Sequence, residues 1–267
     1  VMKFKCKSSV LLNGINHVLK AISNRSPLPV MENIYIQLDD NQLCLRGNDL
    51  EVSIESRLPV EDSEQSGSVL VKASTLNSIV TKMTDSNQSI SVEVDSSNKI
   101  IINSDQVDFD ILGTSVDEYP AFPSLASGVN LTLSVSDLKY YIRYTLFSVS
   151  TDETKQFLNG ILFQKLEQVM SMVSTDGFRL SVVNKVCEQT CNDYSVIIPY
   201  KAMSELNKVL QGVDDSQSID ICISEQQISF KMNSFLLISR LIQGQFPDYR
   251  QVLPKESENV FSIPRRS

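Results

Sequence analysis

Eight cations stand where they could neutralise phosphate: Lys20, Arg25, Lys72, Lys82, Lys139, Arg143, Lys201 and Lys208. All fall in four windows, 8–25, 71–84, 134–149 and 199–212, whose apolar residues recur at helical spacing. Only Asp137 and Glu205 oppose them, so these windows carry +6 and leave −14 for the rest of a chain whose total is −8. The acidic total alone argues against nucleic acid, because phosphate binders are usually basic. The partition changes that: an acidic remainder repels a polyanion and leaves one attractive face. Small uncharged residues separate the cations, as in Lys201, Ser204, Lys208 and Gly212, in Thr75, Ser78 and Lys82, and in Asn13, Asn16 and Lys20. Sparse faces of this kind suit weak, sequence-independent contact with phosphates. Base readout would need Arg, Asn and Gln converging on a groove. For any one helix an ordinary solvated face is the alternative, and the same bias on all four weighs against it.

Residues that could catalyse are scattered. The single histidine, His17, lies on the first helix and reads as a packing or surface residue. Cys187 and Cys191 are four apart with no second ligand pair beside them, and five cysteines in all fit reduced thiols in a cytoplasm. The acidic pairs Asp39-Asp40, Asp117-Glu118 and Asp214-Asp215 fall in turns. No Gly-rich loop with a lysine and no nucleophile–base–orienter set is present. The expectation is a protein with no catalytic residues, no metal and no cofactor. Two other readings stand beside it. A nuclease built from dispersed carboxylates would need a divalent metal and turnover. A duplicated scaffold without DNA would be indifferent to neutralising the helix lysines. No run of 18 apolar residues suggests a membrane span, and Val1–Cys6 is unlike a signal peptide.

The elements that must position the cations repeat at about 127 residues, and such a repeat constrains the fold before any motif does. Each copy opens with a short strand and an amphipathic helix, 8–24 with Leu11, Ile15, Val18 and Ile22, and 134–149 with Leu138, Ile142, Leu146 and Val149. Strands follow at 34–38, 42–46, 51–55 and 68–71, and again at 160–164, 169–173, 179–183 and 195–198. A second helix comes next, around Leu76 to Met83 and Met203 to Leu210. Hairpins close each copy, 90–94 with 99–103 and 219–224 with 227–232. The fold class is therefore α+β, with two helices and roughly eight strands per copy, and helices packed on one side of antiparallel sheets. Boundaries fall at 1–125 and 130–254. Asn259–Pro264 echoes Met2–Cys6 and Asn130–Ser134, so 259–267 reads as the first strand of a third copy and the chain as truncated.

Three segments carry a resemblance: Lys20-Ala-Ile-Ser-Asn-Arg-Ser-Pro-Leu-Pro29; Phe157-Leu-Asn-Gly160 followed by Ser174-Thr-Asp-Gly-Phe-Arg-Leu180; and Phe246-Pro-Asp-Tyr-Arg250 followed by Val252-Leu-Pro254. In order and spacing they resemble the bacterial sliding clamps, the beta subunits of DNA polymerase III, over essentially the whole chain. The resemblance implies the DNA-clamp fold, with two inner helices and outer antiparallel sheets per domain. Two three-domain protomers would join head to tail as a homodimer ring around double-stranded DNA. It implies a processivity factor that tethers the polymerase III core, the clamp loader and other clamp-binding-motif proteins. It also implies a cytoplasmic location, no membrane and no enzyme activity. This chain, lacking one half of each contact, would be monomeric.

Carried over residue by residue, Arg25 and Lys201 match DNA-contacting positions, and Lys20, Lys82, Arg143 and Lys208 share their helical faces. Gln156 and Phe157 end a loop that faces the hole in the family, although here it also carries Asp152 and Glu153. A pocket for peptides rich in Gln, Leu and Phe would use Leu158, Thr175, Gly177, Phe178, Arg179, Leu180, Pro247, Gln251 and Val252. In it an Arg rims an apolar groove and a glycine permits close approach. Leu158, Leu180 and Val252 read equally well as core. Gln251 stands where some relatives have Arg.

Overall fold

The computed structural model describes residues 2–23, 28–83, 88–104, 107–124, 127–187, 191–254 and 262–264. The first copy runs β1 (Met2–Lys7), α1 (Ser8–Val18), β2 (Asn33–Asp39), β3 (Gln42–Asn48), β4 (Val52–Pro59), β5 (Asp62–Gln65), β6 (Gly67–Lys72), α2 (Ala73–Lys82), β7 (Ser89–Val94), β8 (Lys99–Asn103) and β9 (Asp108–Leu112). The second runs β10 (Val129–Ser134), α3 (Val135–Thr145), β11 (Gly160–Leu166), β12 (Val169–Thr175), β13 (Leu180–Val186), β14 (Tyr194–Pro199), α4 (Tyr200–Leu210), β15 (Ser218–Ile223), β16 (Gln227–Met232) and β17 (Phe235–Arg240). All paired strands are antiparallel.

Both leading helices stop earlier than their apolar period suggests. α1 tightens into a 3-10 turn at Leu19–Ala21 and turns extended at Ile22. Its end lies against β3 at Gly47, where a Cβ would stand 2.4 Å from the Val18 carbonyl oxygen. In α3 the Ser134 hydroxyl accepts from the Asp137 amide at 3.0 Å and starts the helix. At its other end the Ser174 hydroxyl donates to the Thr145 carbonyl at 2.5 Å, which takes that oxygen out of the helical ladder. Leu11, Ile15 and Val18 of α1 and Leu138, Tyr141 and Ile142 of α3 face a shared apolar core.

The sheets do not respect the repeat. One holds β5-β1-β7-β8-β9 and another β13-β12-β11-β14. The third runs β10-β15-β16-β17-β4-β3-β2-β6, crossing from the second copy into the first at β17–β4. There Phe235 lies opposite Ser56 and Ser239 opposite Val52. Two further backbone bonds extend the seam, Arg57 N to Ser234 O at 2.8 Å and Arg240 N to Glu51 O at 3.0 Å.

The sequence reading omits β5, β9 and β17. The last is an apolar run, Phe-Leu-Leu-Ile, without alternation, because one face is buried and the other is partly covered at Leu236 and buried at Ile238. β5 is a polar edge strand, Asp-Ser-Glu-Gln, with no apolar signal. Of the expected terminal strand, 259–261 and 265–267 lie outside the described residues and 262–264 form no regular element.

Candidate functional site

The four helices form one layer. α1 packs on α2, α3 packs on α4, and α1 and α4 wall a common cleft, giving the row α2-α1-α4-α3. The layer lies on the sheets, α1 against β3 and β4, α3 against β12 and β13. One continuous helical face therefore exists, as the alternation of apolar and polar positions requires.

Its cations are less free than their spacing suggests. Lys201, at the start of α4, pairs with Asp49 in the β3–β4 turn of the other copy. Lys208 pairs with Glu205 at 2.7 Å, and Lys139 donates to Asp215 at 2.6 Å and to the Val213 carbonyl at 2.8 Å. Lys20 lies against its own helix, donating to the Asn16 carbonyl at 3.1 Å. Burial lowers its pKa, and neighbouring Lys208 adds to this against the opposing charge of Glu205. Lys20 and Lys208, one from each copy, thus face the same cleft together with Asn13, Asn16 and His17. Lys72, Lys82 and Arg143 are exposed and have no carboxylate partner among the described residues. Arg25 lies outside the described residues.

Residues 151–157 are exposed. Gln156 and Phe157 begin a short 3-10 turn, Gln156–Leu158, and Asp152 is occupied in accepting from the Thr154 amide and hydroxyl at 3.0 and 2.7 Å. The same two hydrogen bonds, hydroxyl first, hold the Asp152 carboxyl below its ordinary pKa.

The groove residues gather round a second, smaller apolar cluster separate from the main core. Leu158, Leu162, Val173, Ile197, Phe246 and Tyr249 form it, with half-buried Leu180 against them. Two exposed segments are anchored there. In the first, the Thr175 hydroxyl donates to the Arg179 carbonyl at 2.7 Å and accepts from the Gly177 amide at 3.0 Å. Asp176 accepts from the amides of Phe178 and Arg179 at 2.9 and 3.0 Å, and these bonds hold its carboxyl below the ordinary value. Gly177 sits at φ +93° with open space where a Cβ would be, so within this chain the glycine serves the turn. Phe178 is fully exposed.

The second segment is the 3-10 turn Tyr249–Val252. Asp248 accepts the Arg250 amide at 3.3 Å and the Gln251 side-chain amide at 3.1 Å. Gln164 donates to the Tyr249 hydroxyl at 2.8 Å, fixing the turn to β11. Pro247 lines a cleft of about 530 Å³ beside Leu162, Ile197, Ile242 and Phe246. Val252 is 71% exposed, and so is not core. Leu158 and Leu180 are thus floor residues, while Phe178, Arg179, Gln251 and Val252 stand outside them. The sequence reading does not single out Leu162, Val173, Ile197 or Ile242 for this cluster. Their alternation marks them as buried but cannot say in which of two cores.

Among the described residues no three His, Cys, Asp or Glu side chains converge to hold a metal. Burial pushes the thiols of Cys6 and Cys44 up to about 12, where they are poor nucleophiles.

Residues 2–123 match the family model of the DNA polymerase III beta subunit, N-terminal domain, and 132–248 that of its central domain. A beta sliding clamp of Halalkalibacterium halodurans is 32% identical over 272 residues, 98% of this chain and 70% of that protein. The Bacillus subtilis clamp crystal structure superposes with a TM-score of 0.90 at 32% identity, covering 96% of this chain and 68% of that one. A Pseudomonas aeruginosa clamp bound to griselimycin gives 0.90 at 26% identity, covering 96% and 69%.

Proposed function

The chain belongs to the DNA polymerase III beta subunit family, and from that premise we propose that its helical layer faces duplex DNA inside a ring while its small apolar cluster holds partner peptides. It is a processivity factor and not an enzyme. Its work is topological. Contacts to phosphate are weak and salt-sensitive, and a closed ring need not release DNA when they break. Partners docked on it stay near the template at high effective concentration.

The observation that carries this reading is the β17–β4 seam. β9 and β13 occupy, in their own copies, the places that β17 and β4 occupy at the joint, and both stand at sheet edges. Each copy therefore keeps one joint strand unused. Head-to-tail addition of further domains would repeat this joint at β9 and at β13, each in its own sheet, and continue the helix row. On this view residues 1–125 and 130–254 are successive domains, and a full ring is a homodimer of three-domain protomers in the cytoplasm. Phosphate contacts fall to Lys20, Arg25, Lys82, Arg143, Lys201 and Lys208, with Gln156 and Phe157 at the rim. The peptide site uses Leu158, Thr175, Gly177, Phe178, Arg179, Leu180, Pro247, Gln251 and Val252. Polymerase III core, clamp loader and repair proteins are its partners.

The test is binding of a fluorescent Gln-Leu-Phe peptide to this chain and to a form extended by a third domain. Binding by the extended form that disappears with Arg179→Ala or Leu180→Asp, together with dimerisation, supports the proposal. A folded, extended chain that binds no such peptide and stays monomeric refutes it.

A further inference from the structure

The outward face of α3 and the turn that continues it carry three aromatic rings that the core does not use. Tyr140, Tyr144 and Phe147 follow one another at helical spacings of four and three, hence on one side. They are 47%, 39% and 56% exposed, and the two tyrosine rings lie 4.7 Å apart. Cations alternate with them. Lys185 Nζ stands 4.7 Å from the Tyr140 ring centre, Arg143 Cζ 5.6 Å from Tyr144 and Arg179 Cζ 5.9 Å from Phe147. Between α3 and α4 opens a cleft of about 620 Å³, lined by Arg143, Phe147, Tyr200, Asn207 and Gln211. Tyr200, at its other wall, is 47% exposed.

Each ring leaves much of its area exposed, and exposed apolar groups gathered on one face mark an interaction site. Interleaved rings and cations suit unpaired nucleotides, whose bases offer flat faces for stacking and whose phosphates meet the cations. The Asn207 and Gln211 amides can meet base edges. A duplex hides its base faces and has no use for the rings. A purely apolar peptide has no use for the cations, and an acidic one is disfavoured by the −8 charge of the whole chain no less than nucleic acid is, without gaining from stacking. We propose that the α3–α4 cleft is a site for single-stranded nucleic acid, with bases on Phe147 and Tyr200 and phosphates at Arg143. This deepens the assignment of the helical layer to DNA and rests on it.

The test uses fluorescence anisotropy of a labelled oligothymidine and of a labelled duplex of equal length, at low salt, on the 267-residue chain. The single strand is expected to bind more tightly than the duplex. Phe147→Ala and Tyr200→Ala each weaken single-strand binding about tenfold and leave duplex binding unchanged. Both side chains are exposed, and Phe147→Leu, which keeps an apolar side chain but no ring, is expected to behave like Phe147→Ala. Single-strand affinity unaffected by all three changes, or no higher than duplex affinity, overturns the proposal. Duplex and Gln-Leu-Phe peptide binding by the form extended by a third domain report separately on the clamp reading. If they persist while the single-strand arm fails, only the cleft proposal falls. If they fail while ring-dependent single-strand binding stands, the clamp reading falls alone.

Discussion

Asp49 holds the two copies together through a turn and a lysine at once, and its removal separates those roles. Its side chain is 6% exposed. One carboxylate oxygen accepts from the amides of Glu51 and Val52 at 3.0 and 2.8 Å, and the other receives Lys201 from α4. The turn it organises feeds β4, the strand that pairs with β17. Asp49→Ala orphans the half-buried Val52 amide, and a hydrogen bond to a charged acceptor contributes about 1.5–3 kcal/mol. The Glu51 amide is exposed and turns to water. Lys201 is 40% exposed and rehydrates, so the ion pair itself adds under about 1 kcal/mol. Asp49→Ala should therefore cost about 2–3 kcal/mol and Lys201→Ala about 1 or less, with a melting temperature lower by roughly 4–10 °C for the first. Urea titration and thermal unfolding followed by circular dichroism measure both. A Lys201→Ala cost equal to that of Asp49→Ala would refute the reasoning, because it would place the stability in the ion pair and not in the turn. The same pair bears on DNA. Because Lys201 is engaged with Asp49, Lys201→Ala should flatten the salt dependence of duplex binding less than Lys82→Ala, which removes an unpaired cation and should lower the slope by about 1.

The Glu55 carboxylate lies between Arg46 and Arg57, at 2.7 and 2.6 Å. Burial alone would raise its pKa, but the hydrogen bonds and charges of the two arginines outweigh it and hold the group below its ordinary value. A depressed carboxyl adds stability that is present above the unfolded-state pKa of about 4.3 and lost as pH falls through the folded-state value. The urea midpoint should accordingly fall in acid, and less steeply in Glu55→Gln. Leu237 is fully buried at the seam, and Leu237→Ala should cost about 2–5 kcal/mol in the same titrations. Gly177→Ala meets no atom but must hold φ +93°; it should cost about 1 kcal/mol in stability, and peptide titration should show weakened binding from the displaced Arg179. Leu180→Asp puts a charge against the small cluster and should abolish peptide binding while leaving duplex affinity unchanged by anisotropy.

Much of the molecule was legible before any coordinates, because periodicity and burial are coupled residue by residue. The alternation of β2, β7, β8 and β15 follows from one face meeting the core, and Leu11, Ile15 and Val18 or Leu138 and Ile142 repeat because a helix presents one side. The repeat itself needed nothing more than the order of these patterns. β5, a polar edge, carries no such signal, and β17 carries one that does not distinguish strand from buried helix. In the candidate site, Leu158, Arg179, Leu180 and Pro247 were found through short motifs. Their partners Ile197 and Ile242 were not, because nothing local separates one apolar cluster from another.

What the chain determines by itself is therefore the α+β class, the duplication and the sign of the helical face, each a property of residues near in sequence. Only the tertiary structure decides that β17 of one copy pairs with β4 of the other. Only it assigns Lys201 to Asp49, 152 residues away, and sets Arg143, Phe147 and Tyr200 around one cleft. These depend on which strand edges meet and how two helices pack, and long-range pairing of that kind is chosen by the summed burial of the whole core and by no local pattern.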